Sequence, residues 1–166
     1  MSPGLDPETL AARALVTDIV VAYAMALDAC DWAGFRALFE DEIEIDYASL
    51  GSIQATLPAD AWVERCKVLG GFDATLHKVS NFAVVMERDA ARVTSYVDAA
   101  HFIRHQGREL AGFACGTYVH ELRRHVEGWK ITGCAFAVAG YATGRAAFDE
   151  AFDAARAVHA RQEGRP

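Results

Sequence analysis

The chain has 166 residues, 52% of them apolar and 23% charged, with a formal net charge of −7. That length suits a single domain able to bury roughly 70% of its unfolded surface without staples. The acidic balance excludes nucleic acid or an anionic membrane surface as the main partner, because both need a basic field.

The N-terminus has no basic segment and no early apolar run, so no signal peptide is expected. No apolar run is read as reaching the ~20 residues of a membrane span. The first element is a helix over Pro7–Ala29. Asp6 can cap it, Pro7 fits the first turn and Glu8 faces its positive end. Asp31 then caps a short helix carrying Trp32, Phe35, Leu38 and Phe39. Glu42 to Tyr47 alternates with the period of a strand. Leu50 to Leu57 reads as a loop, and Pro58 opens a helix over about Ala59 to Leu69 that Gly70-Gly71 ends. Four long strands follow, Thr75–Met86, Arg92–Arg104, Glu109–Arg124 and Trp129–Ala139. The last contains Gly133, Ala135, Ala137 and Ala139, small residues that signal either close packing or room for a cavity. A final helix, about Arg145 to Arg161, docks on the sheet or on another subunit. Helices first and an antiparallel meander later predict an α+β fold.

Chemistry concentrates on a few positions. Asp28 is an acid on an otherwise apolar stretch of the first helix, and Asp31 is already available as the next cap. His77 sits between Leu76 and Val79 in a strand. A histidine held by a carboxylate is the usual general base near neutral pH, so this pair is the leading candidate. His101, in Ala99-Ala-His-Phe-Ile103, is a second acid or base, and Tyr23, Tyr47 and Tyr118 are candidate hydroxyl donors. His105, His120 and His125 read as surface or interface residues, and Asn81 as structural. Four scattered cysteines, Cys30, Cys66, Cys115 and Cys134, form no C-x-x-C pair and read as buried thiols in a reducing cytosol. No H-x-H or H-E-x-x-H spacing, phosphate loop or nucleophile elbow occurs, so no metal and no cofactor are expected.

In order, Tyr23…Leu27-Asp28…Asp31-Trp32…Phe35…Leu38-Phe39, Ile45-Asp46-Tyr47, His77…Ser80-Asn81, Tyr96…His101 and Gly128-Trp129-Lys130 form a pattern. Over about Ala11 to Tyr141 it resembles the nuclear transport factor 2-like cone. Within that superfamily it is similar to the scytalone dehydratase group, the bile acid 7-alpha-dehydratases and the SnoaL-like polyketide cyclases. The resemblance implies a cone-shaped curved sheet closed by the N-terminal helices over residues 1–144, with residues 145–166 as a helical tail. It implies a cofactor-free hydro-lyase of a small, apolar cyclic hydroxy-ketone. Asp28 would orient His77 as base, His101 would protonate the leaving hydroxyl, and Tyr47 would hold the carbonyl. Leu27 stands where the fungal dehydratase has a second tyrosine, and Gly116 and Tyr118 where it has serine and asparagine. Tyr23, five residues before Asp28, matches the tyrosine of the bile acid enzymes. Leu27 and Tyr118 therefore count as substrate-binding candidates, and Tyr23 or Tyr118 replaces the missing polar groups. The alternatives are an isomerase or cyclase on the same fold, or a non-catalytic binding or assembly domain such as a ring-hydroxylating dioxygenase small subunit. A cytoplasmic homodimer or homotrimer is the expected assembly, joined through the open sheet face, on which Phe82, Val84, Tyr96, Phe102 and Leu122 are read as the apolar residues.

Overall fold

A computed structural model describes residues 6–164. The start of the chain, residues 1–5, on which the signal-peptide reading partly rests, lies outside that range. Helix α1 spans Pro7–Ala29, as the Asp6-Pro7 start predicts, and Asp6 accepts from the Thr9 amide at 2.8 Å. It stops where Cys30 takes the left-handed conformation, φ 52°. Val16, Val20, Tyr23 and Leu27 recur every three or four residues and form its buried side. Between Leu10 and Leu27 only Arg13 and Asp18 carry charge. By length and composition α1 therefore could cross a membrane, contrary to the sequence expectation. Here it closes one side of the sheet, and Arg13 donates to the Val84 carbonyl at 2.8 Å.

Helix α2 (Trp32–Ala37) is capped by Asp31, which accepts from the Gly34 amide. Strand β1 (Phe39–Asp46) starts earlier than its alternation suggested, so Phe39 belongs to the sheet. The expected loop contains strand β2 (Gln54–Pro58), paired antiparallel with β1 from Glu42↔Pro58 to Asp46↔Gln54. It is an almost wholly exposed edge strand, with no inward-facing alternation to betray it, and Pro58 is tolerated at its end. Helix α3 (Ala59–Cys66) and a 3-10 turn (Lys67–Gly71) follow. Strands β3 (Ala74–Glu87), β4 (Ala90–His105), β5 (Arg108–His125) and β6 (Gly128–Gly140) then lead to helix α4 (Arg145–Glu163). The result is α+β: one curved six-stranded sheet, order β2-β1-β6-β5-β4-β3, with helices against its inner face. Every pair is antiparallel except β1–β6, which is parallel.

A bulge in β3 sets which side chains reach the interior. Ser80 pairs with Tyr96 and Ala83 with Thr94, so two β3 residues oppose Ser95 alone. Asn81 sits there at φ 54°, a conformation that asparagine tolerates well. Before the bulge the odd positions, His77 and Val79, face inward; after it Phe82, Val84 and Met86 pack on the core. Phe82 and Val84 are thus not outer-face residues, and Leu122 is core as well. Tyr96 and Phe102 do face outward and are 58% and 41% exposed. In β6 the inward residues are Cys134 and Phe136, while Ala137 and Ala139 lie on the outer face. Among the small residues of β6, Gly133 and Ala135 line a groove shared with β1, β2 and β5.

Helix α4 docks on the sheet of its own chain. Phe148, Ala151, Ala154 and Ala155 are its buried side, and Phe152 stacks edge-on to Phe72 at 4.9 Å between ring centroids. The turn before β3 meets it closely. A Cβ on Gly71 would lie 2.1 Å from the Ala155 carbonyl oxygen, so the docking requires glycine.

Candidate active site

The left-handed stop at Cys30 leaves Asp28 in the last turn of α1, beside the start of β3. Its carboxylate accepts three hydrogen bonds: Thr75 Oγ1 at 2.8 Å, the His77 backbone amide at 2.8 Å and His77 Nδ1 at 2.6 Å. Partial burial pushes this carboxyl up, but the bonds from His77 and Thr75 outweigh it and hold its pKa below the ordinary value. With Nδ1–H donating to the Asp28 carboxylate, the neutral His77 ring keeps its lone pair on Nε2. His77 is 9% exposed and lines an internal cavity of about 520 Å³.

His101 is the diagonal neighbour of His77 across the β3–β4 ladder, since His77 pairs with Ala99 and Thr75 with His101. The two rings stand perpendicular, with centroids 5.3 Å apart. His101 Nδ1 lies 3.1 Å from the Gly112 carbonyl oxygen, which can only accept, so this nitrogen carries the proton. Burial, with His77 beside it, lowers the His101 pKa to about 4. Near neutral pH Nε2 therefore presents a lone pair. The expected role of His101 as proton donor to a leaving hydroxyl does not suit this environment: its one N–H is engaged by backbone.

On the wall of the same cavity Tyr23 and Tyr47 place their hydroxyls 2.8 Å apart, with Tyr118 beside them. Burial raises the pKa of all three phenols, so all keep their protons. Leu27, 3% exposed, is an apolar wall residue. Six of the seven site candidates, Tyr23, Leu27, Tyr47, His77, His101 and Tyr118, line this one cavity, and the seventh, Asp28, touches it through His77. Three participants were not anticipated. Trp62 on α3 packs on Tyr47 with centroids 4.8 Å apart, and its Nε1 is buried without a partner. Cys134 Sγ lies 3.5 Å from the Tyr47 hydroxyl. His120 is fully buried, not a surface residue, and its Nε2 lies 3.4 Å from Cys134 Sγ. Its signal was available: Tyr118, His120 and Leu122 alternate on one face of β5. His125, by contrast, stays at the surface, paired with Glu40 at 2.6 Å. Among the described residues no group of three His, Cys, Asp or Glu is arranged to hold a metal ion.

Residues 8–135 match the family described as the SnoaL-like domain. The uncharacterized protein Rv2910c of Mycobacterium tuberculosis is 28% identical over 121 residues, 72% of this chain and 80% of its own length. A Novosphingobium aromaticivorans protein provisionally named a scytalone dehydratase superposes with a TM-score of 0.70 at 24% identity, covering 80% of this chain and 87% of that one. An NTF2-like protein with a cystatin-like fold from the same organism gives 0.61 at 19% identity, covering 87% and 98%. With residues 8–135, more than half its length, matched by the family, the chain belongs to the SnoaL-like domain family, and its fold is that of the NTF2-like protein.

Proposed function

We propose that this protein is a dehydratase that needs no cofactor and removes water from a small cyclic β-hydroxy ketone. The observation that carries this reading is the 2.6 Å Asp28–His77 bond beside a largely apolar cavity, open at its mouth, whose wall also carries three tyrosines. His77 Nε2 takes the proton α to the carbonyl. The C–H electron pair moves into the ring as an enolate, whose oxygen is held by Tyr47 with its neighbours Tyr23 and Tyr118. Asp28 stabilises the imidazolium that forms. As the enolate collapses, the carbonyl re-forms, the carbon–oxygen bond to the β-hydroxyl breaks and His77 returns the proton to the departing oxygen, giving water. His101 Nε2 accepts the O–H of that hydroxyl and holds it beside His77. A single histidine thus serves both proton transfers, on one face of the ring. General base help of this kind is worth typically about 10²–10⁴-fold, and preorganised donors to the oxyanion about 10²–10³ more. The provisional name of the Novosphingobium protein supports the reaction class.

The test is a panel of β-hydroxy cyclic ketones, followed by enone absorbance and by α-deuterium loss. His77→Ala, with an unchanged circular dichroism spectrum, should lose most of kcat and the exchange. Wild-type turnover by that variant would mean that the pair is only structural.

A further inference from the structure

Behind the tyrosines lies a buried polar chain that the mechanism does not use. His120 Nε2 is 3.4 Å from Cys134 Sγ, which is 3.8 Å from the Tyr23 hydroxyl and 3.5 Å from that of Tyr47; the two hydroxyls are 2.8 Å apart. Burial keeps every member neutral: His120 is lowered to about 3, Cys134 is raised to about 11, and both phenols are raised. Each therefore brings one hydrogen, and their directions are linked. The contact between Cys134 and Tyr23 has the geometry of a thiol donating to the phenol oxygen. If the S–H goes to Tyr23, His120 must donate Nε2–H to the sulfur, and Tyr23 must donate to Tyr47. The Tyr47 hydrogen then has only the Cys134 sulfur, 3.5 Å away and a weak acceptor, and an oxygen in the cavity that Tyr47 lines is the stronger partner for it. The reverse direction would put the His120 hydrogen on Nδ1, which is buried and has no partner. Orphaned buried N–H groups are rarer than unsatisfied acceptors.

We infer that Cys134 and His120 are positioning residues that point the hydrogen bonds of the Tyr23–Tyr47 pair into the cavity, so that its floor selects an oxygen bearing no hydrogen, a ketone rather than an alcohol. This rests on the dehydratase reading only for the identity of the bound group; the chain of hydrogens stands without it. With Cys134 reduced to a methyl group, Tyr23 loses its incoming bond. The pair can then reverse, so that it receives an alcohol hydrogen as well as donating one.

Two measurements test this. In the wild type, ¹⁵N shifts of the buried His120 ring, assigned by loss in His120→Gln, should show Nε2–H and a bare Nδ1 with no titration between pH 5 and 9. The Nδ1–H tautomer overturns the inference. In the second, 2-tetralone and 2-tetralol, neither with a β-hydroxyl to lose, are titrated into the wild type and Cys134→Ala. The ketone should bind tighter to the wild type, and the preference should shrink roughly 2- to 10-fold in the variant, the worth of one hydrogen bond. An unchanged or larger preference overturns it. If neither compound binds or the variant fails to fold, the tautomer decides alone. The His120 tautomer is read in the unliganded protein and needs no turnover, so failure of the dehydratase test and failure of this inference are separable.

Discussion

Asp28→Asn removes one charge and no heavy atom, and the geometry dictates how the introduced amide must sit. Oδ2 faces the His77 backbone N–H, which can only donate. The amide oxygen must take that place, because an NH₂ there would confront another donor. The NH₂ then faces His77 Nδ1, where Oδ1 now accepts at 2.6 Å. Thr75 can turn its hydroxyl to accept, but His77 has one way to comply: it moves its proton to Nε2. The nitrogen meant to abstract the substrate proton would then already carry one. The imidazolium also loses its carboxylate partner. The same exchange at a serine protease His–Asp pair, a long-studied case, lowers kcat by about 10⁴ through the wrong tautomer. About 10³–10⁴-fold in kcat, or roughly 4–5.5 kcal/mol of barrier, is expected here. The assay pairs kcat on an accepted hydroxy-ketone with the ¹⁵N shifts of the His77 ring. A variant that keeps its Nε2 bare, or turns over within tenfold of wild type, would refute the reasoning.

Asp28 has a folded-state pKa below its ordinary 3.8, so its stabilising contribution is complete above that value and is lost as pH falls through the folded one. Acid denaturation of Asp28→Asn should therefore fall less steeply below about pH 4 than that of the wild type; parallel acid limbs would contradict this. Tyr47→Phe removes one donor to the developing enolate and should cost about 1–3 kcal/mol in kcat/KM, far less than His77→Ala. We expect a homo-oligomer through the outer sheet face, where Leu76, Tyr96 and Phe102 are 50%, 58% and 41% exposed. Sedimentation should find a dimer or trimer that Tyr96→Glu with Phe102→Glu dissociates; a monomeric wild type at micromolar concentration would refute it.

Local signals predict this fold wherever capping or alternation is strong. Asp6 opens α1 and Asp31 opens α2, each side chain capping a backbone amide that has no partner within its own helix. Asp28 and His77 were legible because each is polar amid apolar neighbours. What escaped depends on tertiary register. Strand β2 exists only because β1 lies beside it, and its exposed residues carry no pattern. The bulge at Asn81 inverts which β3 residues face inward, a one-residue shift that no periodicity announces. His120 was misplaced because its neighbours on the strand, rather than its own polarity, decide its burial. Cys134 gains its meaning only from the β5–β6 pairing that sets it opposite His120.

Helix α4 lies wholly beyond the stretch that matches the family, yet it supplies Phe148 and Phe152 to the cavity wall, both against His101. Reactivity and fit are thus written in different parts of the chain. On the proposed mechanism the proton-handling residues lie within the matched stretch, whereas the shape offered to a ligand comes partly from α4 beyond it. That separation makes α4 a natural place to retune selectivity. Trimming Phe152 would enlarge the chamber without disturbing a single hydrogen bond of Asp28 or His77. A library confined to this helix would sample new ring systems against a constant catalytic apparatus.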